Sequence, residues 1–210
     1  MVVVVIIGIL AALAVPSMRL TTFERHAYDD AGAIMQLFRS ARTRAIARGG
    51  AVLIKMTANG TGDRGTFQMW EAVSVNVSGT GLNATPVSSC KSPTVWAPLA
   101  STNTAVRLID GVNLNGRPEA DADIETTLLF YTGATAPAAT TGPAYVCYTP
   151  LGHSFVQPNP TGTVGWFDNQ LPNLNPIEAQ VQRLGVGGSA TKRSVLIPPN
   201  GMARLFSHVL

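Results

Sequence analysis

Charge is what this chain has least of. Charged side chains make up 13% of its 210 residues against a hydrophobic fraction of 46%. That balance is too apolar for a disordered chain and sparse for a cytosolic enzyme. The formal net charge is only +3, so composition does not call for nucleic acid as a partner. Cysteine is almost missing. Cys90 and Cys147 stand far apart, with neither CxxC nor metal-ligand spacing. They either pair, closing a long loop worth about 3–4 kcal/mol, or remain separate buried thiols, and the sequence leaves both open. His26, His153 and His208 are scattered. HExxH, GxSxG and phosphate-cradling glycine loops are lacking, so no catalytic residue, metal or cofactor is expected. Asp121, Asp123 and Glu125 alternate, but without the glycine and terminal glutamate of an EF-hand loop they read as a solvated acidic loop.

What is present is an uneven distribution of apolar residues. Met1 to Val15 reads MVVVVIIGILAALAV, without a polar side chain. A helix apolar all round needs burial in lipid or in a bundle, yet this run falls short of the ~20 residues of a membrane span. A secretory signal peptide is the competing reading. No basic stretch precedes the run, and the helical pattern continues through the place where cleavage would fall. Beyond Pro16, where a bend is expected, apolar positions recur at Leu20, Phe23, Ala27, Ala31, Ile34, Phe38, Ala41 and Ala45. Arg19, Glu24, Arg25, Asp29, Asp30, Arg39, Arg42 and Arg44 take the other face. The spacing predicts one long helix over 1–49, stopped at Gly49-Gly50 with Arg48 in its last turn.

These residues carry a resemblance. MVVVVIIGILAALAVPSM, with Gly8, Ala11-Ala12 and Pro16, resembles the N-terminal segment of type IV pilins and pseudopilins. In that family a short stretch resembling FTLIEL precedes the apolar run. A prepilin peptidase cuts after a glycine, and the new N-terminus is methylated. The resemblance places that stretch upstream of Met1, and with it the glutamate thought to pair with a neighbouring subunit's N-terminal amine. It implies that Val2, Val5, Ile6, Gly8, Ile9, Leu10, Leu13 and Pro16 form the membrane or filament-core segment. The amphipathic stripe from Leu20 to Ala45 then packs on the head domain.

The body, 50–210, reads as strands and turns. Expected strands are Ala51–Thr57, Thr66–Val75, Thr104–Ile109, Thr126–Thr132, Ala144–Thr149, Lys192–Ile197 and Ala203–Val209. Asn59-Gly60, Gly79 to Gly81, Asn115-Gly116 and Asn200-Gly201 supply turns. The last two strands form a terminal hairpin. Ser78 to Ala100 and Pro158 to Pro176, the latter with Trp166 and Phe167, read as loops. The expected fold class is α+β: a long N-terminal helix, with an apolar transmembrane half and an amphipathic half, packed on an antiparallel β-rich globular domain.

Within the family, ARTRAIARGGAVLI from Ala41 to Ile54, the Cys147-Tyr148-Thr149-Pro150-Leu151-Gly152 segment and the terminal SVLIPPNGMARLF look like GspH/FimT-type subunits. The resemblance implies a minor pilin at a filament tip that helps prime pilus assembly. Its partners would be other minor pilins and the major pilin, with prepilin peptidase acting on the precursor. The implied location is single-pass in the inner membrane with a periplasmic head, then the pilus at the cell surface. A minor pseudopilin of type II secretion is the alternative. A weaker one is DNA uptake, since some FimT-type subunits resemble DNA receptors with a C-terminal Gly-Arg-x-Arg motif. Here Gly201-Met202-Ala203-Arg204 lacks its first arginine. Lys192, Arg193 and Arg204 would contact few phosphates.

Overall fold

The computed structural model describes residues 2–58, 63–74, 85–90, 93–96, 104–117, 124–131, 138–139, 143–158, 176–183, 192–199 and 201–208. Helix α1 runs Val2–Arg48 and ends at Gly49, whose φ of 65° an L side chain would resist. Along 7–23 only the helical backbone is described, so the side chains of Leu20 and Phe23 lie outside the described residues.

Two antiparallel sheets follow. The first contains β1 (Val52–Thr57), β2 (Thr66–Ser74), β3 (Thr85–Pro86), β4 (Val106–Asn113), β7 (Ala144–Tyr148) and β8 (Ser154–Pro158). Its order is β3-β2-β1-β7-β8, with β4 on the other edge of β2. The second contains β5 (Ile124–Phe130), β6 (Ala138–Ala139), β9 (Ile177–Arg183), β10 (Lys192–Ile197) and β11 (Arg204–His208), ordered β11-β10-β9-β5-β6. A four-residue helix, α2, spans Pro93–Trp96.

The sequence explains the two kinds of strand. β9 alternates strictly: Ile177, Ala179 and Val181 point into the core, and Glu178, Gln180 and Gln182 point away. β1 and β7 are near-continuous apolar runs because their sheet is covered on both faces. Val52, Ile54, Met56, Ala144, Val146 and Tyr148 meet the main core, while Leu53, Tyr145 and Cys147 meet a second cluster around Trp96. The main core lies between the two sheets and α1, which supplies Ala27, Ala31, Ile34, Leu37, Phe38, Ala41 and Ala45. Alanine at four of these positions lets the helix lie close to the strands. Ile34 and Phe38 fill the space between, each worth roughly 1.5–3 kcal/mol of burial.

This arrangement corrects the expected architecture. The described molecule is mostly antiparallel β-sheet, in two sheets rather than one head-domain sheet, and the helix contributes its packing through residues 24–48. No helix among the described residues is long and apolar enough to cross a membrane. The expected transmembrane half, and the single-pass inner-membrane location that went with it, are therefore corrected as well. The physical reason is length. The apolar run would cover about 22 Å at ~1.5 Å per residue, against about 30 Å of hydrocarbon.

Expected strand positions differ in particulars. β4 extends to Asn113, β5 begins at Ile124, and β8 and β9 were not anticipated. β3 and α2 fall inside the stretch expected to be a loop. Asn115-Gly116 belongs to a 3-10 turn, Leu114–Gly116, whose preceding Asn113 side chain accepts from the Asn115 amide. Asn59-Gly60, Gly79 to Gly81, Asn200, Trp166 and Phe167 lie outside the described residues.

Candidate interaction surface

The β10–β11 hairpin carries Lys192, Arg193 and Arg204. Lys192 and Arg204 fall on the outer face of the second sheet: Arg204 is the cross-strand partner of Leu196, which shares its face with Lys192. The two are four residues apart along the hairpin, roughly 13 Å. Arg193 alternates to the inner face. Its guanidinium carbon sits 5.7 Å from the Tyr28 ring centroid of α1, a cation–π arrangement. Its Nε is buried and has no hydrogen-bond partner among the described residues. The structure therefore does not bring Lys192, Arg193 and Arg204 together, and the nearest anchor for Arg193 is the helix.

Two other polar nodes are far more tightly built. Asp30, expected on the solvated helix face, is 1% exposed. It accepts from Arg64 Nη2 at 2.7 Å and from Arg117 Nη1 at 2.8 Å. Arg64 is itself buried, and its carbonyl accepts from Thr126 Oγ1 at 2.6 Å on β5. The node thus joins α1, the turn into β2, the segment after β4, and the second sheet. A spacing argument misses it because Asp30 follows Asp29 in a run of polar residues, and its partners lie 34 and 87 positions away.

The second node centres on Glu71, also 1% exposed. Arg44 Nη2 and Arg107 Nη2 each lie 3.1 Å from Oε2, and Arg48 Nε lies 2.9 Å from Oε1 as an ion pair. Three guanidiniums meet one carboxylate, so the node is formally positive by two charges. Farther round the helix, Arg39 Nε donates to the Ala203 carbonyl at 3.1 Å and Arg42 Nε to that of Gly152 at 3.4 Å. Gly152 has φ of 78°, and a Cβ there would come within 3.2 Å of the Arg42 guanidinium. Glycine is thus required where the β7–β8 turn rests on α1.

Comparison with known family models, curated proteins and solved structures finds no match. The surface is accordingly read from its own chemistry.

Cys90 and Cys147 form a disulfide with Cα atoms 5.9 Å apart, resolving the alternatives left open above. It fastens the segment leading to α2 against β7, where Trp96 is fully buried and its Nε1 donates to Ser89 O at 3.2 Å. Of the acidic alternation, Asp121 and Asp123 lie outside the described residues. Glu125 is a buried strand residue that accepts from Gln182 Nε2, so it is not part of a solvated loop. On the same sheet face Glu178 accepts from the Tyr131 hydroxyl and from Gln180 Nε2. That hydrogen bond, with burial and the carboxylate charge behind it, pushes the Tyr131 pKa up to about 12. Burial also raises Tyr145, and it raises Tyr148 further against the opposing charge of Arg42. Among the described residues no group of His, Cys, Asp and Glu could hold a metal ion. His26 is half-buried on α1 and His153 is exposed in the β7–β8 turn.

Of the residues assigned to a filament core, Val2, Val5, Gly8, Ile9, Leu10, Leu13 and Pro16 have helical backbone within α1 and no described side chain. Ile6 is 51% exposed and its neighbour Val3 67%.

Proposed function

We propose that this chain is a structural subunit of the minor pilin or pseudopilin kind, which takes part in a filament through its helix and presents its two-sheet body outward. The observation that carries this reading is the exposure of large apolar side chains at the start of α1, Val3 and Ile6, on a helix whose later turns are buried in its own body. Exposed apolar surface of that kind favours a partner that covers it. Helices of neighbouring subunits would do so, and the sequence resemblance points the same way. Minor pilins, the major pilin or pseudopilins are the partners this reading names.

Shearing filaments from cells that express the native gene, followed by peptide mass spectrometry of filament and cell fractions, tests it. Enrichment in the filament fraction, with a cysteine at position 6 (Ile6→Cys) cross-linking to other subunits, is the expected outcome. A chain recovered only as an uncross-linked monomer would overturn the reading.

A further inference from the structure

Along the solvent face of α1 runs a shallow trough of about 550 Å³, with Gln36 at one end and Ser40, Thr43 and Ala47 along its floor. Arg39 forms one wall, and Arg44 and Arg48 form the other. Both walls are held from behind. Arg39 is tied to the Ala203 carbonyl at 3.1 Å, a neutral acceptor that leaves its charge in place. Arg44 and Arg48 share buried Glu71 with Arg107, and three cations on one anion leave two positive charges over. Arg48 and Arg107 remain 46% and 56% exposed despite that anchoring. A tethered arginine has already lost much of the rotamer freedom that binding would otherwise cost.

The exposed carboxylates among the described side chains of α1, Glu24 and Asp29, lie at the opposite end of its described face. Asp29 is ten residues from Arg39, roughly 15 Å along the axis. Among the described residues that line the trough, every charged side chain is therefore positive. Beside the Arg39 wall sit exposed apolar residues: Ile46, Leu151 of the β7–β8 turn, and Met202 of the β10–β11 turn. Among the described residues no aromatic side chain lines the trough, so they supply none of the stacking platform of a single-strand nucleic-acid groove.

We infer that this trough docks an acidic, partly apolar segment of a partner polypeptide, whose carboxylates meet Arg39, Arg44 and Arg48 while its apolar residues reach toward Ile46. Charge complementarity selects the occupant, and small floor residues admit its backbone. The inference does not rest on the filament reading, and a negative filament result leaves it standing.

Fluorescence anisotropy on the full chain, with a fluorescein-labelled peptide of glutamate, alanine and leucine as probe, tests it. The Arg39→Gln/Arg48→Gln double variant weakens binding by about tenfold, while Lys192→Gln/Arg204→Gln, which removes the same charge elsewhere, changes it by less than about twofold. Ala47→Glu sets a carboxylate on the exposed floor while leaving Arg44, Arg48, Arg107 and Glu71 themselves unsubstituted. It produces the same loss with an unchanged melting temperature, which separates docking from folding. Absence of probe binding, equal loss in the two charge-matched double variants, or tighter Arg39- and Arg48-dependent binding of duplex DNA than of the peptide would each overturn the inference.

Discussion

Arg64 closes two nitrogens, Nη2 at 2.7 Å and Nε at 3.2 Å, on a single oxygen of Asp30. Both side chains are at most 3% exposed. Because neither charge reaches water, losing one leaves the other stranded. Asp30→Asn therefore destabilises the fold by about 3–5 kcal/mol, read as a shift in the urea midpoint. The double variant Asp30→Leu/Arg64→Met costs less than the sum of its single variants, which a double-mutant cycle measures directly.

Reducing the Cys90–Cys147 bridge opens a loop with a sequence separation of 57. The chain-entropy argument assigns about 4 kcal/mol to such a closure. Reductant, or Cys90→Ala with Cys147→Ala, lowers the thermal midpoint accordingly. Tryptophan fluorescence shifts to the red as Trp96 gains solvent, and an unchanged spectrum would show that α2 stays seated without the bridge.

Tyr131 titrates near 12 because its hydroxyl is held by Glu178. A phenol whose folded pKa lies above its unfolded value of about 10 stabilises the fold fully below pH 10 and loses that contribution as pH rises through 12. Glu178→Gln removes the charged acceptor. The Tyr131 midpoint then falls toward about 10, followed as the 295 nm absorbance that Tyr131→Phe abolishes.

Phe38 is fully buried where α1 packs against the sheets. Phe38→Ala leaves a cavity and costs about 3–5 kcal/mol. At Ala41, also fully buried, Ala41→Leu overpacks the close approach of helix and strands and costs about 1–3 kcal/mol. Equilibrium unfolding of each variant provides the check, and a neutral Ala41→Leu would mean the interface yields more than the packing implies.

Local pattern made several elements readable. Val195 and Ile197, ahead of the Pro198-Pro199-Asn200-Gly201 turn, mark Lys192–Ile197 as a strand, and the observed β10 has the same limits. Gly49 marks the end of α1. β9 carries a clear alternation in Ile-Glu-Ala-Gln-Val-Gln, directly behind a proline-rich stretch whose own chemistry reads as loop. The apolar run at the N-terminus is where composition and structure part. Its composition suggested a membrane span, whereas spanning depends on length as well as hydropathy, and the described helix does not meet both. Strand alternation sends Arg193 to the side opposite Lys192 and Arg204.

What the sequence determined by itself is periodic: where the helix stops, which strands alternate, which stripe of α1 is apolar. Periodicity follows from backbone geometry, a local property that neighbouring residues share. Only the tertiary structure decided that Asp30 is buried while Asp29 is exposed, that Cys90 reaches Cys147, and that three arginines converge on Glu71. Each of those outcomes depends on a partner tens of residues away, and the cost of burying a charge or freeing a thiol is set by the group that the fold brings opposite it.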